Sequence, residues 1–193
     1  MTLPEHCNRT AVVTFRGEDG FCVFDDLETV LRLGPQWTVE ALRVEENLCS
    51  GMPFEVDVEF DSSEQKATLA GTVERHVPGR LLAVTLVTGH ATLRLFLSAQ
   101  PHISGHEVEM RFECDPTPSL HALREFDMWA RSILNYMQIS AGRGFFTKMW
   151  KYFLDRWWLK MPQFGKRIVI IVLIGEAFSL AMLIGILLWW KIF

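Results

Sequence analysis

FEVDVEF, Phe54 to Phe60, alternates without a fault: Phe54, Val56, Val58 and Phe60 on one side, Glu55, Asp57 and Glu59 on the other. A strand turns successive side chains to opposite faces. This stretch therefore predicts an antiparallel strand with one dry face and one wet face. The pattern continues outward. Asp61-Ser62-Ser63-Glu64 reads as a turn, Lys66 to Val77 as a strand, Pro78-Gly79 as a turn and Arg80 to Thr88 as a strand. Past Gly89-His90, Ala91 to Gln100 sets Leu93, Leu95 and Leu97 against Thr92, Arg94 and Phe96. Past the turn Pro101 to Gly105, His106 to Cys114 sets Val108, Met110, Phe112 and Cys114 against Glu107, Glu109, Arg111 and Glu113. Strands in succession at hairpin spacing predict a meander.

Asp115-Pro116-Thr117-Pro118 stops the sheet, with Thr117 as N-cap and Pro118 at the first helical position. Ser119 to Ser140 then reads as one long helix. Leu120, Leu123, Phe126, Ala130, Ile133, Leu134 and Met137 form its apolar stripe, while His121, Arg124, Glu125, Arg131 and Gln138 face away. Such a stripe is expected to pack on the dry face of the sheet. Upstream, Thr10 to Phe15 predicts a short strand with Ala11, Val13 and Phe15 on one face, and Gly17 to Gly20 a turn. Phe21 to Leu33 predicts one helical repeat ended by Gly34-Pro35, and Trp37 to Leu48 a strand with an irregularity.

One strand, a helical stretch, about six consecutive antiparallel strands and a long helix is the element order of the START-like, or SRPBCC, superfamily. Residues 9–140 resemble it. FCVFDDLETVLRLGPQWTVEALRVEE resembles the family's opening, where helices after the first strand lead to a Trp-bearing second strand. The resemblance implies an α+β helix-grip fold: a curved antiparallel sheet gripping its last helix, with a cavity between them for an apolar ligand such as a lipid or isoprenoid. It carries no universal catalytic residue, and such a fold also hosts proteins that bind nothing small. Its lining would be Trp37, Phe54, Val56, Leu95, Met110, Phe112, Phe126, Trp129 and Met137. The same residues would equally make an ordinary core, and residue types alone do not separate the two.

Ile168 to Trp190, IVIIVLIGEAFSLAMLIGILLWW, carries one charge, Glu176. A bilayer core needs about 20 apolar residues as a helix, so this stretch is long enough to span. It divides the chain into a soluble domain at 1–142, a juxtamembrane segment at 143–167, a span at 168–190 and a short tail at 191–193. An ionisable group near the midplane costs about 3 kcal/mol on insertion scales and usually faces protein. Gly175 and Ser179, and Ala177, Ala181 and Gly185, recur every four residues, a spacing that lets another helix approach. The expected partner of Glu176 is a second transmembrane helix, of this chain or of a larger complex. A protonated, lipid-exposed Glu176 is the alternative.

The preceding segment, GRGFFTKMWKYFLDRWWLKMPQFGKR from Gly142 to Arg167, interleaves aromatic and basic residues around the single acid Asp155. Lys148, Trp150, Lys151, Trp157, Trp158, Lys160, Lys166 and Arg167 have the composition of a segment lying in the lipid headgroup layer. Pro162 and Gly165 are expected to break it before the span. Charge supports the same division. Residues 1–142 hold 11 Lys+Arg and 21 Asp+Glu, whereas residues 143–193 hold 8 and 2. An acidic body has no basic footprint for a phosphate backbone, so nucleic acid is not an expected partner.

Four scattered cysteines, a polar start and Lys160, Lys166 and Arg167 ahead of the span predict a tail-anchored, single-pass protein with its N-terminal domain in the cytoplasm. Cys22 and Cys114 sit in apolar patterns and are expected to be buried. Asp25 and Asp26 would disfavour Cys22 as a thiolate. His102 and His106 have i, i+4 spacing but fall in a turn rather than on one helical face, so no metal site is expected. No acid–base pair or nucleophile signature is legible, so neither catalysis nor a cofactor is expected. Two functions remain. One is a membrane-tethered module that binds a hydrophobic ligand at the bilayer. The other is a non-catalytic accessory subunit docked through its transmembrane helix.

Overall fold

The computed structural model describes residues 6–13, 19–35, 37–44, 48–61, 65–88, 91–102, 105–115, 120–142 and 144–192. Seven strands form one sheet: β1 (His6–Val13), β2 (Trp37–Arg43), β3 (Met52–Phe60), β4 (Lys66–Val77), β5 (Leu81–Thr88), β6 (Ala91–His102) and β7 (Gly105–Asp115). Their order is β1-β7-β6-β5-β4-β3-β2, with every neighbouring pair antiparallel. The meander is therefore closed at one edge by the first strand of the chain. Register shifts between Val39 and Ala41 and between Val73 and Arg75 mark irregularities that bend and twist a sheet.

The alternation in β3 sorts as its sequence requires. Phe54, Val56 and Val58 are buried, and Arg43 bonds Glu55 at 3.0 Å and Asp57 at 2.5 Å across the wet face. Leu69 and Val73 of β4, Leu82, Val84 and Leu86 of β5, Leu95 and Leu97 of β6 and Val108, Met110, Phe112 and Cys114 of β7 join the dry face. Gly71 lies opposite Phe54 in the ladder. A Cβ at Gly71 would stand 2.3 Å from Phe54 Cζ, so the missing side chain is what lets the ring lie flat on β4.

Phe21 to Leu33 is two elements rather than one. A 3-10 turn, Asp19–Asp25, stops before α1, Leu27–Arg32. Asp26 is the reason: its carboxylate accepts from the Thr29 backbone N–H at 2.9 Å and from the Thr29 hydroxyl at 2.6 Å, an N-cap that starts a new helix. Cys22 is exposed, contrary to expectation, because it lies on the outer side of that turn while Val23 and Phe24 are wholly buried. Cys114 is buried, and burial, with Asp115 adding to it, pushes its thiol pKa up.

The long helix, α2 (Leu120–Ala141), sets Phe126, Trp129, Ala130, Ile133 and Met137 into the core, while Arg124, Arg131 and Gln138 are exposed. Phe15, the turn residues 62–64, Gly89-His90, the Thr117-Pro118 cap and the side chains of Ala11, Val13, Leu120, His121 and Leu123 lie outside the described residues.

The basic and aromatic segment folds as α3 (Phe145–Phe153) running into a π turn, Leu154–Trp158. A straight α-helix row at i, i+4 drifts around its axis. The π turn, closed by Leu159 N–H to Leu154 O at 2.9 Å, takes up that drift. Lys151, Asp155 and Leu159 thus all face the body. Lys151 Nζ lies 5.8 Å from the Tyr136 ring centroid, Tyr136 donates to Asp155 at 2.8 Å, and Leu159 is buried in the core. Arg32 also donates to Leu159 O at 3.4 Å. Residues 1–160 form one compact unit and residues 161–193 a second.

The second unit is α4 (Gln163–Ile192). Gly165 lies within it rather than breaking it. Pro162 stands just ahead of the helix start, where its missing N–H costs no hydrogen bond. Phe164–Ile184 is a 21-residue window of mean hydropathy 2.3, none of it buried.

Candidate functional site

The grip is closed by two aromatic pairs. Trp37, at the start of β2, meets Trp129 of α2 edge to face at 5.6 Å. Phe112, near the end of β7, stacks on Phe126 of α2 at 5.0 Å and 16°. Each indole is pinned by a backbone carbonyl of α1: Trp37 Nε1 donates to Leu31 O at 3.0 Å and Trp129 Nε1 to Val30 O at 2.9 Å. A buried Trp needs such a partner, and here it also fixes the ring orientation. Gly34 abuts Trp37, since a Cβ there would lie 3.2 Å from the indole.

Between these pairs is a cavity of about 80 Å³ lined by Trp37, Phe112, Phe126 and Trp129, with Pro35, Leu93 and Glu125 at its edge. Small-molecule sites usually enclose about 300–1,000 Å³, so this one is smaller than a typical ligand site. All nine predicted cavity residues are buried. Four of them line the cavity. Phe54, Val56, Leu95, Met110 and Met137 are packed core beside it. Pro35, Leu93 and Glu125 escaped the sequence reading. Leu93 shares its alternation with Leu95 and Leu97 but is only half-buried, near the start of β6.

The headgroup set divides by face. Lys148, Trp150, Trp157 and Lys160 are exposed, together with Phe145 and Phe146, each 77% exposed. Lys151 turns the other way, onto Tyr136 and to 3.8 Å from Cys22 Sγ, and Trp158 is half-buried beside Phe153. Burial first, and then the bond to Asp155, holds the Tyr136 hydroxyl far above the ordinary phenol range. In α4, Arg167 is exposed and Lys166 half-buried. Gly175, Glu176, Ala177, Ser179 and Ala181 are exposed on the helix, and a Cβ at Gly175 would meet nothing within 4 Å. Gly185 is helical, but its surroundings lie outside the described residues. Among the described residues no group of three metal-ligating side chains converges. His106 is half-buried against Phe21, their rings 4.6 Å apart.

No protein-family profile matches the sequence, and no curated protein sequence does. Solved structures do. The AHSA1-like protein from Aeromonas hydrophila is similar over 72% of this chain and 97% of its own, at 13% identity and a TM-score of 0.55. Ara h 8.0201 is similar over 71% and 97%, at 7% identity and a TM-score of 0.53. The di-domain ARO/CYC StfQ from the steffimycin biosynthetic pathway is similar over 70% of this chain and 50% of its own, at 13% identity and a TM-score of 0.53. Identities this low carry the fold alone. The chain has a START-like, SRPBCC-type helix-grip fold, followed by one helix long and apolar enough to cross a membrane.

Proposed function

We propose that this protein is a membrane-tethered helix-grip module that binds an apolar group at the bilayer surface. The observation that carries the reading is the aromatic cavity between Trp37, Trp129, Phe112 and Phe126, which lies beside the packed side chains of Phe54, Val56, Leu95, Met110 and Met137. Its mainly aromatic walls suit an isoprenoid or acyl terminus, and at about 80 Å³ it takes an end of such a ligand rather than its whole length. α4 supplies the tether. The exposed aromatic and basic face of α3 supplies contact with headgroups. The domain is cytoplasmic on the balance of Lys160, Lys166 and Arg167 ahead of the apolar stretch.

The test is native mass spectrometry of the full chain released from nanodiscs, wild type beside Leu93→Trp. Leu93 is half-buried at the cavity edge, so a larger ring there fills space without uprooting the core. A bound apolar molecule in the wild type, absent in Leu93→Trp, supports the reading. Equal spectra from both, with nothing bound, contradict it.

A second reading rests on Glu176, a carboxyl within the apolar window beside a row of small residues. Here α4 docks into a membrane complex as a non-catalytic accessory subunit. Affinity purification in mild detergent tests it: a stoichiometric partner lost on Glu176→Leu favours docking, and a partner-free protein unaffected by that change counts against it.

A further inference from the structure

A second concavity, an open groove of about 680 Å³, lies at the other ends of β6 and β7 from the aromatic cavity. That volume is within the range of small-molecule sites. Its apolar wall is Phe21, held by its edge contact with the His106 ring, together with Ala99 and Pro101. Among its described lining residues the one acid, Asp25, is already committed: its Oδ1 faces His76 Nε2 at 3.0 Å and accepts from the Gly79 N–H at 3.0 Å. His76 Nδ1 faces Leu48 O at 3.0 Å, so the ring bridges the Asp25 carboxylate and the Leu48 carbonyl. Arg80 is exposed on the lining and forms no ion pair among the described residues. Lys151 adds a second cation at the border, its Nζ 3.8 Å from Cys22 Sγ.

A groove with an apolar wall, a guanidinium that has no ion pair among the described residues and an acid already bonded to His76 and Gly79 is matched to a particular ligand chemistry. We propose that it binds an amphiphilic anion, an alkyl or aryl chain ending in phosphate or carboxylate. The chain lies over Phe21, Ala99 and Pro101, and the head is held by Arg80. Guanidinium binds such oxyanions in bidentate fashion, which an ammonium cannot copy. The site is independent of the aromatic cavity, so either can fail without the other.

Two exposed thiols make the test direct, since Cys22 lines the groove and Cys49 does not. The full chain is placed in phosphatidylcholine nanodiscs, and alkylation of each cysteine is followed by mass spectrometry with octyl phosphate or octanol added. Saturating octyl phosphate is expected to slow Cys22 alkylation about tenfold and leave Cys49 unchanged, while octanol does neither. Arg80→Gln is expected to abolish the protection and Arg80→Lys to restore part of it. The Arg80 side chain has no ion pair to lose among the described residues, so the variants are expected to keep the wild-type circular dichroism. Nanodiscs doped with phosphatidic acid identify the source: protection there without octyl phosphate assigns a membrane lipid, and protection by octyl phosphate alone assigns a soluble amphiphile. Cys22 left unprotected by both phosphate compounds, or protected equally by octanol or in Arg80→Gln, would overturn the proposal.

Discussion

At the scale of single residues, the fold depends on places where one side chain makes room for another. Gly71 has no Cβ so that Phe54 can lie on β4. Gly71→Ala is expected to cost about 1–3 kcal/mol, the range for overpacking a tight core. Phe54→Leu in the same chain should recover part of that loss, a coupling that urea melts of the double-mutant cycle would measure. Additive losses would mean that the ring is not what Gly71 accommodates. Tyr136 offers a second test. Its hydroxyl is held protonated by burial and by Asp155, so its folded pKa lies above the unfolded value of about 10. A group raised in this way contributes its full stability below the unfolded value and loses it as pH climbs toward the folded one. The stability advantage of wild type over Tyr136→Phe is therefore expected to shrink above pH of about 10. A difference that stays flat up to pH of about 11 would contradict this.

At the scale of elements, alternation made β3, β6 and β7 legible because each has one wet face. Phe54 against Glu55, or Met110 against Glu109, leaves no other period open. The 3-10 turn and α1 were harder, since Val23, Phe24, Leu27, Val30 and Leu31 fit one continuous helical stripe. Only the Asp26–Thr29 bond, a contact three residues apart, divides it. The cavity was not separable from the core because both use the same side chains. What distinguishes Phe112 from Met110 is that its neighbours leave a gap. The groove was invisible for a different reason: Phe21, Arg80, Ala99 and His106 come from four separate places in the chain. The basic-aromatic composition of 143–167 hid the inward row of Lys151, Asp155 and Leu159, which only the π turn aligns. Leu159 anchors that row. Leu159→Ala is expected to cost about 2–4 kcal/mol, since it removes a buried side chain. It should also raise hydrogen exchange across residues 145–160 while sparing β4 to β7. Unchanged exchange in α3 would show that the segment is held by other contacts.

At the scale of the whole molecule, charge and apolarity are sorted along the chain. An acidic helix-grip unit ends in a helix whose outer face is cationic and aromatic, and a long apolar helix follows. Phe145, Phe146, Trp150 and Trp157 are large exposed rings on one segment, and the proposed function gives that face a lipid surface to meet. Lipid headgroups satisfy rings and cations together. Because Leu159 and the Tyr136–Asp155 bond tie α3 to α2, headgroup contact through α3 would hold the grip domain itself against the bilayer.

That claim is open to one direct measurement. Residues 1–160 form a compact unit that carries α3 but not the apolar helix. Their tryptophan emission would be recorded on anionic vesicles containing lipids brominated near the headgroup. Trp150 and Trp157 are exposed, whereas Trp37 and Trp129 are buried and out of reach of the bromines. Marked quenching is expected, and it should fall away in the Trp150→Phe, Trp157→Phe double variant. Emission that brominated and ordinary vesicles leave alike would contradict it.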